Sequence, residues 1–309
     1  MLNKRSIILL KNEVTYRTDP TPTGAADSLL VENLNWSFTD ARMNERPATR
    51  ASLGALAPVY GGTLIQITFD AELKGSGAAG TAPDLGQALQ ACAMAETVVP
   101  ATSVTYLPAS SSKKSCTIYF YRDGKRFICT GCVGMVSGSL VAGAYGKLSF
   151  TFVGHLVSEA DAALPTPTYD ATEPPAIINL ANAQLDSTTF ALSKLDFDLG
   201  NEVARTSDIV QADGFGVIEV TGRKVTGSID PQDVLVATYN WLDEWQSGND
   251  LALTSGGIGG TAGNIITVSF PGVRLTEQSP GDASGIVTRE LTFQAIESSG
   301  DDEISIAFT

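Results

Sequence analysis

Near the middle of the chain, Ala163-Leu164-Pro165-Thr166-Pro167 is followed closely by Glu173-Pro174-Pro175-Ala176. Each proline locks φ and lacks a backbone donor, so neither a helix interior nor a central strand can cross this stretch. The chain therefore folds as two connected halves. With 309 residues, each half is long enough to bury a core. A second polar stretch, Thr18-Asp19-Pro20-Thr21-Pro22-Thr23-Gly24, sets off the N-terminus. The predicted organisation is an N-terminal arm (1–28), a first unit (29–160), a proline-rich linker (161–177) and a second unit (178–309).

The two halves repeat one order of elements. Leu34, Trp36 and Phe38 alternate with Asn35 and Ser37, and Leu195, Phe197 and Leu199 alternate with Asp196 and Asp198, the two-residue period of half-buried strands. Irregular stretches follow at Thr39–Gly61 and Gly200–Gly214. Ile65, Ile67, Phe69, Ala71 and Leu73 mark the next strand, and Phe215 to Val220 opens its counterpart. A helix then begins in each half. Asp84 with Gln87 is the expected capping pair for a stripe of Leu85, Ala88, Leu89 and Cys92. Asp230-Pro231 is the expected start of the other, carrying Val234, Thr238, Trp241 and Trp245 on one face and ending near Gly248. Further strands close each half, among them a hairpin from Cys116 to Cys132 around Asp123-Gly124, then Leu148, Phe150 and Phe152, and finally Leu291, Phe293 and Ala295. One helix and several antiparallel strands per half predict a mainly β fold, a sandwich or barrel with one flanking helix.

Charge separates along the chain as well. Residues 1–160 carry 14 Lys and Arg against 12 Asp and Glu, whereas residues 161–309 carry 6 against 22, for a net charge of −14. Such a balance excludes affinity built on neutralising phosphates with a basic surface. No apolar run approaches the ~20 residues of a membrane span, and Ser6 to Leu10 is too short for a signal-peptide core, so the chain reads as soluble and unexported.

Chemical motifs are sparse. Gly75-Ser76-Gly77-Ala78-Ala79-Gly80 matches a dinucleotide fingerprint, but the strand before it alternates instead of being apolar throughout, and Pro83-Asp84 starts the helix only after the glycines end. Gly256 to Gly260 lacks the Lys-Ser/Thr ending of a phosphate loop. Both glycine runs read as mobile loops. Cys129 and Cys132 form a C-x-x-C on a strand, where residues three apart point to opposite faces, so they read as small core residues and not as metal ligands. Two-residue closure at Asp123-Gly124 pairs Phe120 with Phe127 and Ile118 with Cys129. His155 is the chain's single histidine, and it reads as structural or exposed. No pattern singles out a carboxylate pair for glycoside hydrolysis. The expectation is no catalytic residue, no metal and no cofactor.

Two sections resemble the tail tube proteins of long, non-contractile-tailed bacteriophages. One runs from Ile65 through Glu72-Leu73-Lys74-Gly75-Ser76-Gly77 and Ala82-Pro83 into Asp84-Leu85-Gly86-Gln87-Ala88-Leu89-Gln90-Ala91-Cys92. The other runs from Arg122-Asp123-Gly124 through Gly131, Gly134 and Gly138 to Leu148-Ser149-Phe150-Thr151-Phe152-Val153-Gly154. The resemblance implies two tandem tail-tube-like β-sandwich or split-barrel domains, each with a flanking helix, in a virion protein made in the host cytoplasm. It implies rings with a continuous inner barrel that stack into a genome-conducting tube. Partners would be further copies of the chain, a tape measure, a tail terminator, and double-stranded DNA passing without sequence-specific binding; no membrane is involved.

In this family the long loop contacts the adjacent ring, which makes Arg42, Arg46 and Arg50 candidate inter-ring contacts. An acidic lumen would repel phosphates and let DNA slide. If family rings hold six tube domains, two per chain imply a homotrimer with pseudo-sixfold symmetry; if only the first half is a tube domain, six chains are needed and the second half decorates the outside. The competing reading is a carbohydrate-binding or adhesin-type β-sandwich, a monomer with exposed aromatics; Trp241 and Trp245 instead fit the inner stripe of a helix.

Overall fold

The computed structural model describes residue 2, residues 4–178 and residues 183–309; residues 179–182 of the predicted second unit lie outside the described set. In the first half the elements are β1 (Ser6–Asn12), β2 (Ser28–Leu29), β3 (Val31–Thr39), β4 (Met43–Asn44), β5 (Val59–Tyr60), β6 (Leu64–Glu72), α1 (Gly86–Ala91), β7 (Met94–Val99), β8 (Ser103–Pro108), β9 (Cys116–Arg122), β10 (Lys125–Val141) and β11 (Lys147–Asp161). The second half holds β12 (Gln184–Leu185), β13 (Thr188–Thr189), β14 (Leu192–Asp198), β15 (Asn201–Ser207), β16 (Phe215–Arg223), β17 (Thr226–Pro231), α2 (Trp241–Ser247), β18 (Leu251–Thr254), β19 (Ile266–Ala283), β20 (Ile286–Ala295) and β21 (Ser305–Phe308). The fold is mainly β, with antiparallel ladders and open sheets.

Hydrogen-bonded neighbours follow one order in both halves. The first half reads β2-β1-β9-β10-β11-β6-β3. The second reads β13-β12-β18-β19-β20-β17-β14. Ser6–Asn12, expected in an arm, is thus a strand paired along its length with β9, and β12 holds the same place beside β18. Two ladders join the halves. Ser137–Val141 of β10 pairs with Lys194–Asp198 of β14, and β21 lies between β19 and β8. The result is an eight-stranded sheet, β3-β6-β11-β10-β14-β17-β20-β19, in which a four-strand order occurs twice.

One apolar cluster runs through both halves, from Ile8, Phe69, Phe150 and Phe152 to Phe197, Phe270 and Phe293. Phe69 stacks on Phe150 at 5.3 Å, and Phe270 meets Phe293 edge-on at the same distance. Each such ring contributes about 1.5–3 kcal/mol through burial. The two halves therefore share a core across the proline-rich segment.

Several local expectations are corrected. Asp84 and Gln87 form no capping box: α1 starts after Leu85 with no side-chain cap. Asp84 accepts from the Asp170 N–H, and Gln87 accepts from the Asn12 N–H, so tertiary partners take both side chains. α2 begins ten residues later than the proline suggested, because Asn240 caps it through the Asp243 N–H. Asp230 instead accepts from the Ser193 and Lys194 N–H groups and ends β17. Only Trp241 of the expected stripe is buried; Trp245 is 39% exposed. Gly200–Gly214, expected to be irregular, supplies β15, which pairs with β16. Neither glycine run stands free: Gly75 donates to Asn264 Oδ1, Gly77 donates to the Gly263 carbonyl, and Ile258 is buried and bridged to Ile266.

Candidate assembly surfaces

Across the eight-stranded sheet, register places side chains in rows, because directly opposed residues share a face. One row is Glu32, Asp70, Ser149, Ser137, Asp198, Thr226, Gln294 and Arg274. A second is Glu72, Lys147, Ser139, Asp196, Ser228, Thr292 and Glu277. Every position is polar, with six carboxylates against Lys147 and Arg274. Both cations are already paired, Lys147 with Glu32 at 2.6 Å and Arg274 with Asp250 at 2.6 Å. Ser149 and Ser139 donate to Asp70 and Asp196 at 2.6 Å.

The intervening row points into the core: Ala71, Leu148, Gly138, Phe197, Gly227, Phe293 and Leu275. Gly138 is required there, since a Cβ on it would stand 2.2 Å from the Phe197 ring. One face of the sheet is thus apolar and covered, and the other is an acidic, Ser/Thr-rich surface. Alternation made the faces visible in sequence, but strand order was needed to align them into rows.

The sheet has two open edges. β3 pairs with β6 on one side, and Arg274–Ala283 of β19 pairs with β20 on one side; among the described residues no strand covers the opposite edge of either. Unpaired edges invite another strand.

Where β3 and β6 meet at Thr39 and Leu64, the Thr39–Gly61 loop leaves the sheet. Its root docks on the β15–β16 hairpin of the same chain. Arg42 donates to the Gly214 carbonyl and Ser207 Oγ at 2.9 Å and lies 3.7 Å over the Phe215 ring, and Arg205 meets Asp40 at 2.6 Å. Arg50 turns back to the Gly54 and Ala55 carbonyls within the loop. Arg46 is exposed, and among the described residues its side chain has no partner. The three arginines therefore differ in role: Arg42 anchors the loop, Arg50 shapes it and Arg46 faces outward. Leu53 within the loop, and Ile209 and Val210 in the β15–β16 connection on which its root docks, are fully or largely exposed. Toward the other end of the sheet, the β19–β20 turn and the segment before α2 expose Ile286, Val287, Leu235 and Val236.

His155 is fully buried in a network that sequence spacing could not show. Its Nδ1 lies 2.7 Å from Asp213 Oδ2 and its Nε2 3.0 Å from the Tyr16 hydroxyl. The Ile218 N–H donates to the Tyr16 oxygen, so that hydroxyl proton is free to go to Nε2, leaving a neutral ring that donates from Nδ1 to Asp213. Burial and the nearby Arg17 push the His155 pKa down, and burial pushes the Tyr16 hydroxyl up to about 12. Against its own burial, Asp213 is held below the usual carboxylate range by His155, the Phe215 N–H and Arg17 at 3.1 Å. The network ties the N-terminal turn, β11 and the 208–214 loop together, and Tyr16 also lines a surface cleft with Glu13, Lys113 and Ile218.

Glu13, also buried, accepts from Ser115 Oγ, Thr117 Oγ1, the Arg17 N–H and the Gly131 N–H. Gly131, at φ +60°, forms the bulge that breaks β10 between Cys129 and Cys132. The bulge overturns the expectation of opposite faces: Cys132 lies opposite Cys116, and both share the core with Cys129 and Cys92. All four thiols are free and buried, and no group of His, Cys, Asp or Glu suited to a metal occurs among the described residues. No helix there is long and apolar enough to cross a membrane.

Residues 3–295 match the family described as phage tail tube protein. The chain belongs to that family. A tail tube protein is a structural subunit of the virion tail, and the extent of the match places both halves, with their repeated strand order, inside the family region. No curated protein matches the chain.

Proposed function

We propose that this tail tube protein builds the tube of a long, non-contractile tail. In this reading three chains close a ring of six sheet repeats, rings stack head to tail, and the acidic face of the sheet lines the channel that double-stranded DNA crosses during ejection. The two units are residues 29–160 and 178–309 joined by the 161–177 linker. The strands of residues 6–12 and 28–29 are counted with the first, because β12 and β13 hold their places in the second. The observation that carries the proposal is the join at β10 and β14, which continues one repeat into the next as neighbouring subunits of a ring would.

Six carboxylates against two paired cations on the polar rows favour a wall that repels phosphate. Exposed apolar side chains at opposite ends, Leu53, Ile209 and Val210 against Ile286 and Val287, suit a heterologous contact that repeats along an axis. Arg46, with Arg42 and Arg50 holding the loop in shape, is the foremost candidate to meet acidic groups of the next ring. A tape measure inside the tube and a terminator at its end are the expected further partners, met in the host cytoplasm. Catalysis plays no part.

Size-exclusion chromatography with negative-stain microscopy over a concentration series tests the proposal. The expected result is tubes with three chains per ring. A monomer at every concentration refutes it in favour of a binding module, and six chains per ring leaves the second half as external decoration.

A further inference from the structure

The internal joint supplies a template for the joint between copies, and the following rests on the ring reading above. At the internal joint, Ser139 of β10 lies directly opposite Asp196 of β14 and donates to it at 2.6 Å. The pairings map these residues onto the other repeat. Leu148 of β11 corresponds to Leu291 of β20, so Ser139, which faces Lys147, corresponds to Ser279, which faces Glu290. Likewise Asp196, opposite Ser228 and through it Thr292, corresponds to Glu32, opposite Asp70 and through it Ser149. The two corresponding residues sit on the two open edges.

We infer that the open edge of β19 pairs in antiparallel with β3 of a second copy of this chain, with Ser279 opposite that copy's Glu32. The chemistry at the internal joint, a serine hydroxyl donated to a carboxylate on the polar face, is conserved in the residue types at the predicted one. A contact between one edge and the complementary edge of the next copy leaves a free edge of each kind at the ends, so copies add until the rotation between them closes the circle, at three in the ring reading. Pro280 and the positive-φ Asn33 beside the β3 bulge make both edges irregular, a device that discourages pairing out of register.

The test is a doubly substituted chain, Glu32→Cys with Ser279→Cys, oxidised mildly after assembly and run on a denaturing gel without reductant. The expected outcome is covalent species ending at three chains, absent from either single variant. Ser139→Cys with Asp196→Cys, which should cross-link within one chain, shows whether the geometry permits a disulfide. Three-chain rings without intermolecular bonds, while that control cross-links, overturn the edge assignment and leave the ring reading intact; absence of rings in the unsubstituted protein removes the ring reading itself. Should the double variant not assemble, amide exchange of the unsubstituted chain decides. Assembly is expected to slow exchange in Val31–Thr39 and Leu275–Asp282 on the order of tenfold or more. Unchanged exchange there refutes the joint.

Discussion

Gly138 lies directly beneath the ring of Phe197, so close that an added Cβ would come within 2.2 Å of it. The contact sits where β10 of the first half meets β14 of the second. Gly138→Ala is therefore expected to lower stability by about 1–3 kcal/mol through overpacking. At Gly260 nothing lies within 4 Å, and alanine there is expected to change stability by less than about 0.5 kcal/mol. Urea titration of both variants checks the contrast.

Arg42 should stabilise the isolated chain, whereas Arg46 should not. Replacing Arg42 with alanine removes the contact over Phe215 and two hydrogen bonds, at an expected loss of about 1–3 kcal/mol. Arg46→Glu is expected to leave the melting temperature unchanged and to shorten tubes or make them disassemble at lower salt. Thermal melts with tube lengths from micrographs separate the two roles, and reversal of all three arginines without effect on the tubes would sink the inter-ring assignment.

Acid should weaken the fold through His155. Its folded pKa lies below the ordinary value of about 6.5, so as pH falls past that value the unfolded chain takes up a proton that the folded chain refuses. Stability present above pH ~6.5 is then lost on acidification, with a slope of up to about 1.4 kcal/mol per pH unit. Asp213, held low when folded, adds a loss of the same sign only below about pH 4. Asp84, raised by burial, works in the opposite sense at mildly acidic pH. Because His155 is the chain's single histidine, His155→Gln should flatten the slope between about pH 6.5 and 5 in urea titrations repeated across that range.

The net negative charge of the polar rows, six carboxylates against two cations, can be cancelled by two lysines without touching the core. Asp70→Lys with Asp198→Lys is expected to let assembled tubes bind duplex DNA at low salt, with an affinity that falls steeply as salt rises. Unsubstituted tubes should bind little. Equal binding by both, measured by sedimentation with labelled duplex, counts against an acidic channel wall.

The legible parts of the fold were those with short-range causes. Alternation in β6, β11 and β20 marked strands, and Asp123-Gly124 set the hairpin register with Phe120 opposite Phe127 and Ile118 opposite Cys129. What escaped had distant causes. Asp84 and Gln87 looked like a cap until Asp170 and Asn12 claimed them, and β15 showed only once β16 stood beside it. Among the candidate site residues, the position of Arg42, Arg46 and Arg50 in the connection between β3 and β6 was readable, but the pairing of β4 with β5 inside the expected irregular stretch Thr39–Gly61 was not. That Arg42 would be held by residues 165 and 172 positions away was not. The acidic rows needed eight strands put in order, which no local pattern contains.

β21 has a consequence in time. Ile306 pairs with Tyr106, a closure over about 200 residues, and gathering such distant segments is slow because loop entropy is lost before contacts repay it. While the second half is still being synthesised, β8 has only β7 beside it, and its other edge stays unpaired. In the assembly proposed above, a chain part-way through translation would be a poor recruit for a growing polymer, because the pairing of β8 with β21 is made only once the second half exists.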